Sequence, residues 1–279
     1  MKKLLPFLLT LSFLLLLFYF IPIGEIIQSL RGIKVYSLAF AFLLYSLSQI
    51  LRSLRWRLLI KGLSFFDLFL VNSANIMFNN LMPARTGEAS WFYYLRRMGV
   101  NWTFSLWFFL LGRLYDLIGL LLLLLLSLSL VKSVVLLPFF LLLLLSLSLP
   151  YVLPKEELKD LFKREGSYKL SLYLLSLSSL SHMAKFGSLF VLLNLKHLDL
   201  YKSLLAFFGG ELSSVLPLHS FMGFGTYELA FSIPLKLLGE GLREWLKMGF
   251  IFHSFLLLSS LLWGIPSTIL LVGRGTKSP

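Results

Sequence analysis

Apolar residues dominate the chain from end to end, in long continuous runs separated by short clusters of charge, proline and glycine. The first run, residues 4–23, follows Lys2 and Lys3; a second covers about 35–51 and stops at Arg52, Arg55, Arg57 and Lys61. Further runs cover 102–130, 133–153, 170–195 and 244–272. Each approaches or exceeds the roughly 20 residues that cross a hydrocarbon core as a helix. Two other stretches are shorter and paired. Residues 65–82 carry Asn72, Asn75, Asn79 and Asn80 and end at Pro83, with a second piece at 87–95; residues 203–216 end at Pro217, with a second piece at 227–238. Two short helices around a Pro/Gly break read as a re-entrant hairpin rather than as two spans. The pattern therefore predicts an all-α polytopic integral membrane protein of about six full spans plus two re-entrant helical hairpins. A β-barrel would need strict alternation over segments of about 10 residues, which the continuous runs exclude.

The whole chain, 1–279, reads as a single transmembrane domain in two parts. The first half, 1–153, holds the first broken hairpin (65–98); a polar loop, 154–169, follows; the second half, 170–279, holds the second broken hairpin (203–238). At an offset of 140, Thr86 matches Thr226, Glu88 matches Glu228, Leu95 matches Leu235 and Gly99 matches Gly239, while an offset of 134 pairs Pro83 with Pro217. With Lys2 and Lys3 inside the cell, the expected spans leave 15 Lys and Arg on the cytoplasmic side and 8 outside, with Arg85, Arg113 and Lys185 in the interior. That asymmetry follows the positive-inside rule and places both termini and the 154–169 loop in the cytoplasm. It also makes the two hairpins enter from opposite faces, an inverted-topology repeat. The amino-terminal stretch resembles a signal peptide but lacks a small-residue cleavage site, so it is expected to stay as the first span.

Composition narrows the function classes. Hydrophobic residues make up 58% of the chain and charged ones 14%, and the net charge is +13. The basic residues flank spans, and no basic soluble segment exists to hold nucleic acid, so none is expected as a partner. The chain has no cysteine, which removes disulfides and thiolate metal sites. Its four histidines show neither HExxH nor convergent spacing, and neither a metal nor a cofactor is expected.

Charges inside the apolar runs carry the candidate chemistry, because intramembrane charge is costly and usually functional. Thr86 and Thr226 are each positioned to cap a helix, with Glu88 and Glu228 two residues on, at the positive end of the helix dipole. The carboxylates either stabilise two buried helix starts or, with Arg85, form a polar cavity for a phosphate headgroup. Arg113 and Asp116 lie three apart and share a helix face, as an internal ion pair would. Glu211 precedes the second break, and His219 lies within it, either as a group titrating near neutral pH or as a hydrogen-bonded loop residue. His182 and Lys185 also share a face and either line the same cavity or satisfy each other. His253 aligns with Arg113 at the 140 offset. Arg52, Arg55, Arg57, Arg96 and Arg97 are expected at the surface, fixing topology beside anionic lipid. Trp56, Trp102, Trp107, Trp245 and Trp263 read as interface anchors or packing.

Two segments carry a family resemblance. "NNLMPARTGEASWFYYLRRMGV", followed by "GRLYDLIGLLLL", and "GGELSSVLPLHSFMGFGTYELAFSIPLKLLG" resemble, in order, two signatures of the lysylphosphatidylglycerol synthase transmembrane-region family, also called flippase-like. The resemblance spans nearly the whole chain. It implies a lipid-translocating membrane domain and carries over Asn80, Pro83, Arg85, Gly87, Glu88, Arg113, Asp116, Glu211, Pro217, Gly223, Gly225 and Glu228 as family positions. Nothing beyond residue 273 would house the soluble aminoacyl transferase found in some members, so translocation rather than synthesis is expected. The resulting expectation is a flippase-like transporter in the cell (inner or cytoplasmic) membrane that moves an anionic phospholipid between leaflets. Substrate would meet Asn80, Arg85, Glu88, Arg113, Asp116, Glu211, His219 and Glu228, with Pro83, Gly87, Pro217, Gly223 and Gly225 as structural breaks. An integral-membrane enzyme acting on a lipid-linked substrate and a non-transporting scaffold are the alternatives.

Overall fold

The computed structural model describes residues 5–129, 133–152, 159–160, 162–163, 166–195, 199–214 and 220–274, and all regular structure among them is helical. His219, Pro217 and half of the 154–169 loop lie outside the described residues. Helix α1 (Leu5–Phe20) turns by 82° into α2 (Ile23–Arg31). Pro22 sits at the bend, where it lacks an amide donor and keeps Ile21 out of the helical region. Next come α3 (Val35–Leu59), α4 (Phe65–Leu81), a 3-10 turn (Pro83–Glu88), α5 (Ala89–Arg97) and α6 (Trp102–Ser129). The chain continues through α7 (Leu136–Val152), α8 (Ser167–Leu192), α9 (Leu200–Ser213), a 3-10 turn (Phe221–Gly223), α10 (Thr226–Leu237) and α11 (Leu242–Gly273).

Helices α3, α6 and α11, of 25, 28 and 32 residues, are each long and apolar enough to cross a bilayer. Their outward faces expose large apolar side chains such as Leu43, Leu110, Leu262 and Ile269, as lipid contact requires. Helix α3 departs from expectation. It does not stop near residue 51 but runs eight residues further, through Arg52, Arg55 and Arg57, to Leu59. Arginine, leucine and serine all tolerate a helix interior, and no glycine or proline intervenes before Gly62. Arg52 and Arg55 are thereby carried into the packed interior rather than left on a loop.

The two helices of each short pair, α4 with α5 and α9 with α10, pack against each other. Ser64 accepts the Asp67 amide at 3.0 Å to start α4. The helix ends where Met82, preceding Pro83, turns extended at ψ 139°. The asparagines of α4 do not interrupt it; they cross-link it to its neighbours. Asn75 Nδ2 donates to Ser90 Oγ at 3.2 Å, tying α4 to α5, and Asn72 Nδ2 donates to Gln49 Oε1 on α3 at 2.9 Å. Glycine closes each hairpin: a Cβ on Gly87 would strike the backbone of Phe78 and Asn79, and one on Gly209 would strike the Ala230 carbonyl. Backbone-to-backbone packing of this kind requires residues without bulk.

The two 3-10 turns touch each other. Around them, some positions 140 apart share local geometry. Arg85 (φ 58°) and Gly225 (φ 99°) are both left-handed, three residues ahead of Glu88 and Glu228. Thr86 Oγ1 donates to the Pro83 carbonyl at 3.0 Å, and Thr226 Oγ1 donates to the Gly223 carbonyl at 3.0 Å. These hydroxyls bond backward to a carbonyl three residues earlier, so neither threonine is the helix cap expected from its position. Helix α4 packs on α11, α9 packs on α6, and α3 lies along α8. Each short pair thus leans on the long helix that follows the other pair.

Candidate functional site

A cavity of about 90 Å³ opens between the helices at the two breaks. That is room for several waters or a small polar group, too little for an acyl chain. From α3 it is lined by Tyr45, Gln49 and Arg52; from α4 and the first break by Asn79, Asn80 and Arg85; from α6 by Arg113 and Asp116. From α8 come His182 and Lys185, from α9 Glu211, from α10 Tyr227 and from α11 His253. Among the expected site residues, Asn80, Arg85, Arg113, Asp116 and Glu211 therefore face one space. Glu88 and Glu228 stand just behind it, each bonded to a residue that lines it.

Four carboxylates are held by four different arrangements. Glu88 Oε1 lies 3.0 Å from the Arg85 guanidinium and 3.1 Å from that of Arg113, so one acid serves two bases. Arg113 also rests over the Phe109 ring, 5.0 Å from its centroid. Glu228 has no solvent-exposed side-chain surface; its Oε1 is 2.8 Å from His253 Nδ1, and its Oε2 accepts the Gly225 amide at 2.7 Å. Glu88 bonds a residue 25 positions onward, Arg113, and Glu228 does the same with His253. Glu228 caps its helix start as its position suggested, whereas the Glu88 side chain makes no cap bond and is committed to arginine. Lys185 Nζ bridges both oxygens of Glu211, at 2.7 and 2.9 Å.

Asp116 departs from expectation. It does not pair with Arg113, three residues away on the same helix. Its partner is Arg55, whose Nη1 bonds Oδ1 and whose Nη2 bonds Oδ2 at 3.0 Å. Arg55 Nη1 also donates to Ser178 Oγ at 2.7 Å, and the guanidinium stacks on Trp56 at 4.7 Å. The side chain is 1% exposed, so its placement as a surface residue is overturned. Arg57 and Arg96 are exposed, as expected. His182 does not pair with Lys185; its Nε2 is 3.1 Å from the Asp116 backbone oxygen. Trp56 donates Nε1–H to Asn72 Oδ1 at 3.2 Å and Trp263 to Ser46 Oγ at 2.8 Å, both as packing residues.

Sequence reasoning missed Tyr45, Gln49, Arg52 and Tyr227. The signal for the first three was the 45–49–52 spacing, one face of a helix, visible once the helix is allowed to run past residue 51. Among the described residues, no three His, Asp or Glu side chains converge as metal ligands do. Chemically, the wall can hold an anion on guanidinium groups while carboxylates keep the remaining cations paired.

A sequence model of the family described as "Lysylphosphatidylglycerol synthase TM region" matches residues 3–264. The chain belongs to that family. Neither a curated protein nor a solved structure matches it. Family and apolar helices together make it a membrane protein of a lipid-related family. Within this member of the lysylphosphatidylglycerol synthase transmembrane-region family, the second signature supplies Glu211, Tyr227 and Glu228 and the first supplies Asn80, Arg85 and Glu88, so both signatures meet at one cavity.

Proposed function

We propose that the protein moves an anionic phospholipid between leaflets, its headgroup passing through the polar cavity while its acyl chains stay in the bilayer. The observation that carries this reading is the convergence of Arg85, Arg113, Asp116, Lys185 and Glu211 on one small cavity inside a bundle with long apolar helices. Charge kept at such a cost points to a polar cargo. Phosphate would be taken by Arg85 and Arg113 as charge-assisted donors, with Glu88 holding both arginines when no lipid is bound.

The matched left-handed residues, hydroxyl bonds and 25-residue acid–base pairs support two equivalent halves, 1–153 and 170–279. In an inverted arrangement, rocking one half against the other would expose the cavity to alternate leaflets. The surplus of Lys and Arg on the expected cytoplasmic side keeps its sign when Arg52 and Arg55 are counted with the interior. It supports termini and a 154–169 loop in the cytoplasm of the cell membrane.

The test is reconstitution in liposomes carrying a fluorescent anionic phospholipid in one leaflet. Wild type is expected to move lipid faster than protein-free liposomes, and a folded Arg85→Ala/Arg113→Ala double variant to be slower by about tenfold or more, the value of a lost charge-assisted bond. A folded double variant that works at the wild-type rate overturns the site. A wild-type protein no faster than empty liposomes overturns the function.

A further inference from the structure

Among the described residues, three of the four Arg and Lys side chains that line the cavity have acidic partners. Arg85 and Arg113 share Glu88, and Lys185 holds Glu211; Asp116, also in the wall, is taken by Arg55. Glu228 is taken by His253 and the Gly225 amide. Arg52 lines the same cavity, yet among the described residues it makes no ion pair, and its buried Nε–H has no hydrogen-bond partner. It shares that wall with Arg85, Arg113, Asp116, His182 and Lys185. What sets Arg52 apart is the absence of an ion pair: an arginine in a wall with three paired cations and no carboxylate of its own is free to take an acceptor from outside.

A second unpartnered donor faces the same space. The Tyr227 hydroxyl is buried, lines the cavity and bonds nothing. Its position is fixed from below by Gly210, where a Cβ would lie 2.9 Å from the hydroxyl oxygen, and from the side by the His253 ring, stacked at 4.6 Å. The free donors are thus a planar guanidinium and a phenol, a pair suited to the oxygens of a phosphate. Arg85 and Arg113 share a single carboxylate, Glu88, and Arg52 has none, so positive charge is in excess on this side of the cavity, as an incoming phosphate would need.

We infer that Arg52, in a wall it shares with the free Tyr227 hydroxyl, is the anion anchor of the resting cavity, and that its ligand is the phosphate group of a membrane lipid. This rests on reading the cavity as a headgroup site. Arg85 and Arg113, tied to Glu88, are positioning groups in the empty state. Arg52 needs no internal pair broken before it binds. The phosphate chemistry could also be met by free inorganic phosphate, so the test separates the two sources.

Binding is measured by titration calorimetry on the full chain in an uncharged maltoside detergent at low salt. Dihexanoyl phosphatidylglycerol, inorganic phosphate and uncharged dihexanoylglycerol serve as probes. Wild type is expected to bind the phosphatidylglycerol and not the dihexanoylglycerol. Arg52→Gln is expected to weaken that binding about ten- to hundredfold, the value of a hydrogen bond to a charged group, with Arg52→Lys falling between. Because Arg52 has no partner to lose, the thermal midpoint of lipid-free Arg52→Gln is expected to equal or exceed that of wild type; a merely structural arginine would lower it. An unchanged Kd in Arg52→Gln, or a lowered lipid-free midpoint, overturns the assignment of Arg52 while leaving the transport reading standing. Tighter binding of inorganic phosphate than of the lipid overturns the lipid source. A wild-type protein that binds no anion overturns the headgroup reading and this inference together.

Discussion

The Arg55–Asp116 pair offers the sharpest test of the packing described above. Both side chains are buried, at 1% and 8% exposure, and the pair makes two parallel N–H···O bonds, with Ser178 accepting a third from Arg55. Asp116→Asn keeps the shape but removes the charge, leaving a guanidinium inside the bundle with only neutral acceptors and the Trp56 ring. Breaking a buried pair from one side costs about 3–5 kcal/mol. The asparagine oxygen can still accept one bond and Asp116 borders the cavity, so the lower end, ~3 kcal/mol, is the expected loss. At roughly 2–4 °C per kcal/mol for a chain of this size, the thermal midpoint falls by about 6–12 °C. The double change Arg55→Met/Asp116→Leu removes both charges and is expected to recover most of that loss, because apolar replacements of a buried pair are often neutral or better. Size-exclusion profiles after heating in detergent measure both variants. An Asp116→Asn midpoint equal to wild type, or a double variant whose loss is the sum of the two single ones, would refute the pairing, since coupled residues must deviate from additivity.

Two further outcomes follow from the hairpins. Gly87→Ala forces a methyl against the Phe78 and Asn79 backbone and is expected to lower folded yield and midpoint sharply, whereas Gly24→Ala, whose Cβ meets nothing within 4 Å, is expected to be neutral or to gain up to about 1 kcal/mol from helix propensity; equal effects at the two sites would count against the tight α4–α5 closure. Glu228→Ala strands both the Gly225 amide and His253 and is expected to cost ~3 kcal/mol in the same heating assay, while Glu228→Gln, which can still accept the amide, should cost less; the reverse order would sink the capping role of that carboxylate.

Much of the architecture was legible from local pattern alone. Continuous apolar runs dictate helices in lipid because no other single segment satisfies its own backbone there. Pro83 and the glycines at 223 and 225 mark breaks because ring closure and positive φ are properties of the residue itself. The likeness of Thr86-x-Glu88 to Thr226-x-Glu228 was readable only in part: both threonines bond back to a carbonyl three residues earlier, but Glu228 caps its helix and Glu88 does not.

Which charge meets which was a matter for the tertiary structure. Spacing put Arg113 and Asp116 on one face of α6, but the rotation of α3 against α6 delivered Arg55 to the carboxylate instead and sent Arg113 to Glu88. The length of α3 decided the fate of Arg52 in the same way. Read as the edge of a span it is a topological marker; carried onward by an unbroken helix it becomes a cavity arginine without an ion pair among the described residues. A sequence states how strongly each side chain avoids hydrocarbon, and so that these charges must find partners. The partners themselves depend on how helices distant in the chain turn toward one another, which is settled only when the whole bundle packs.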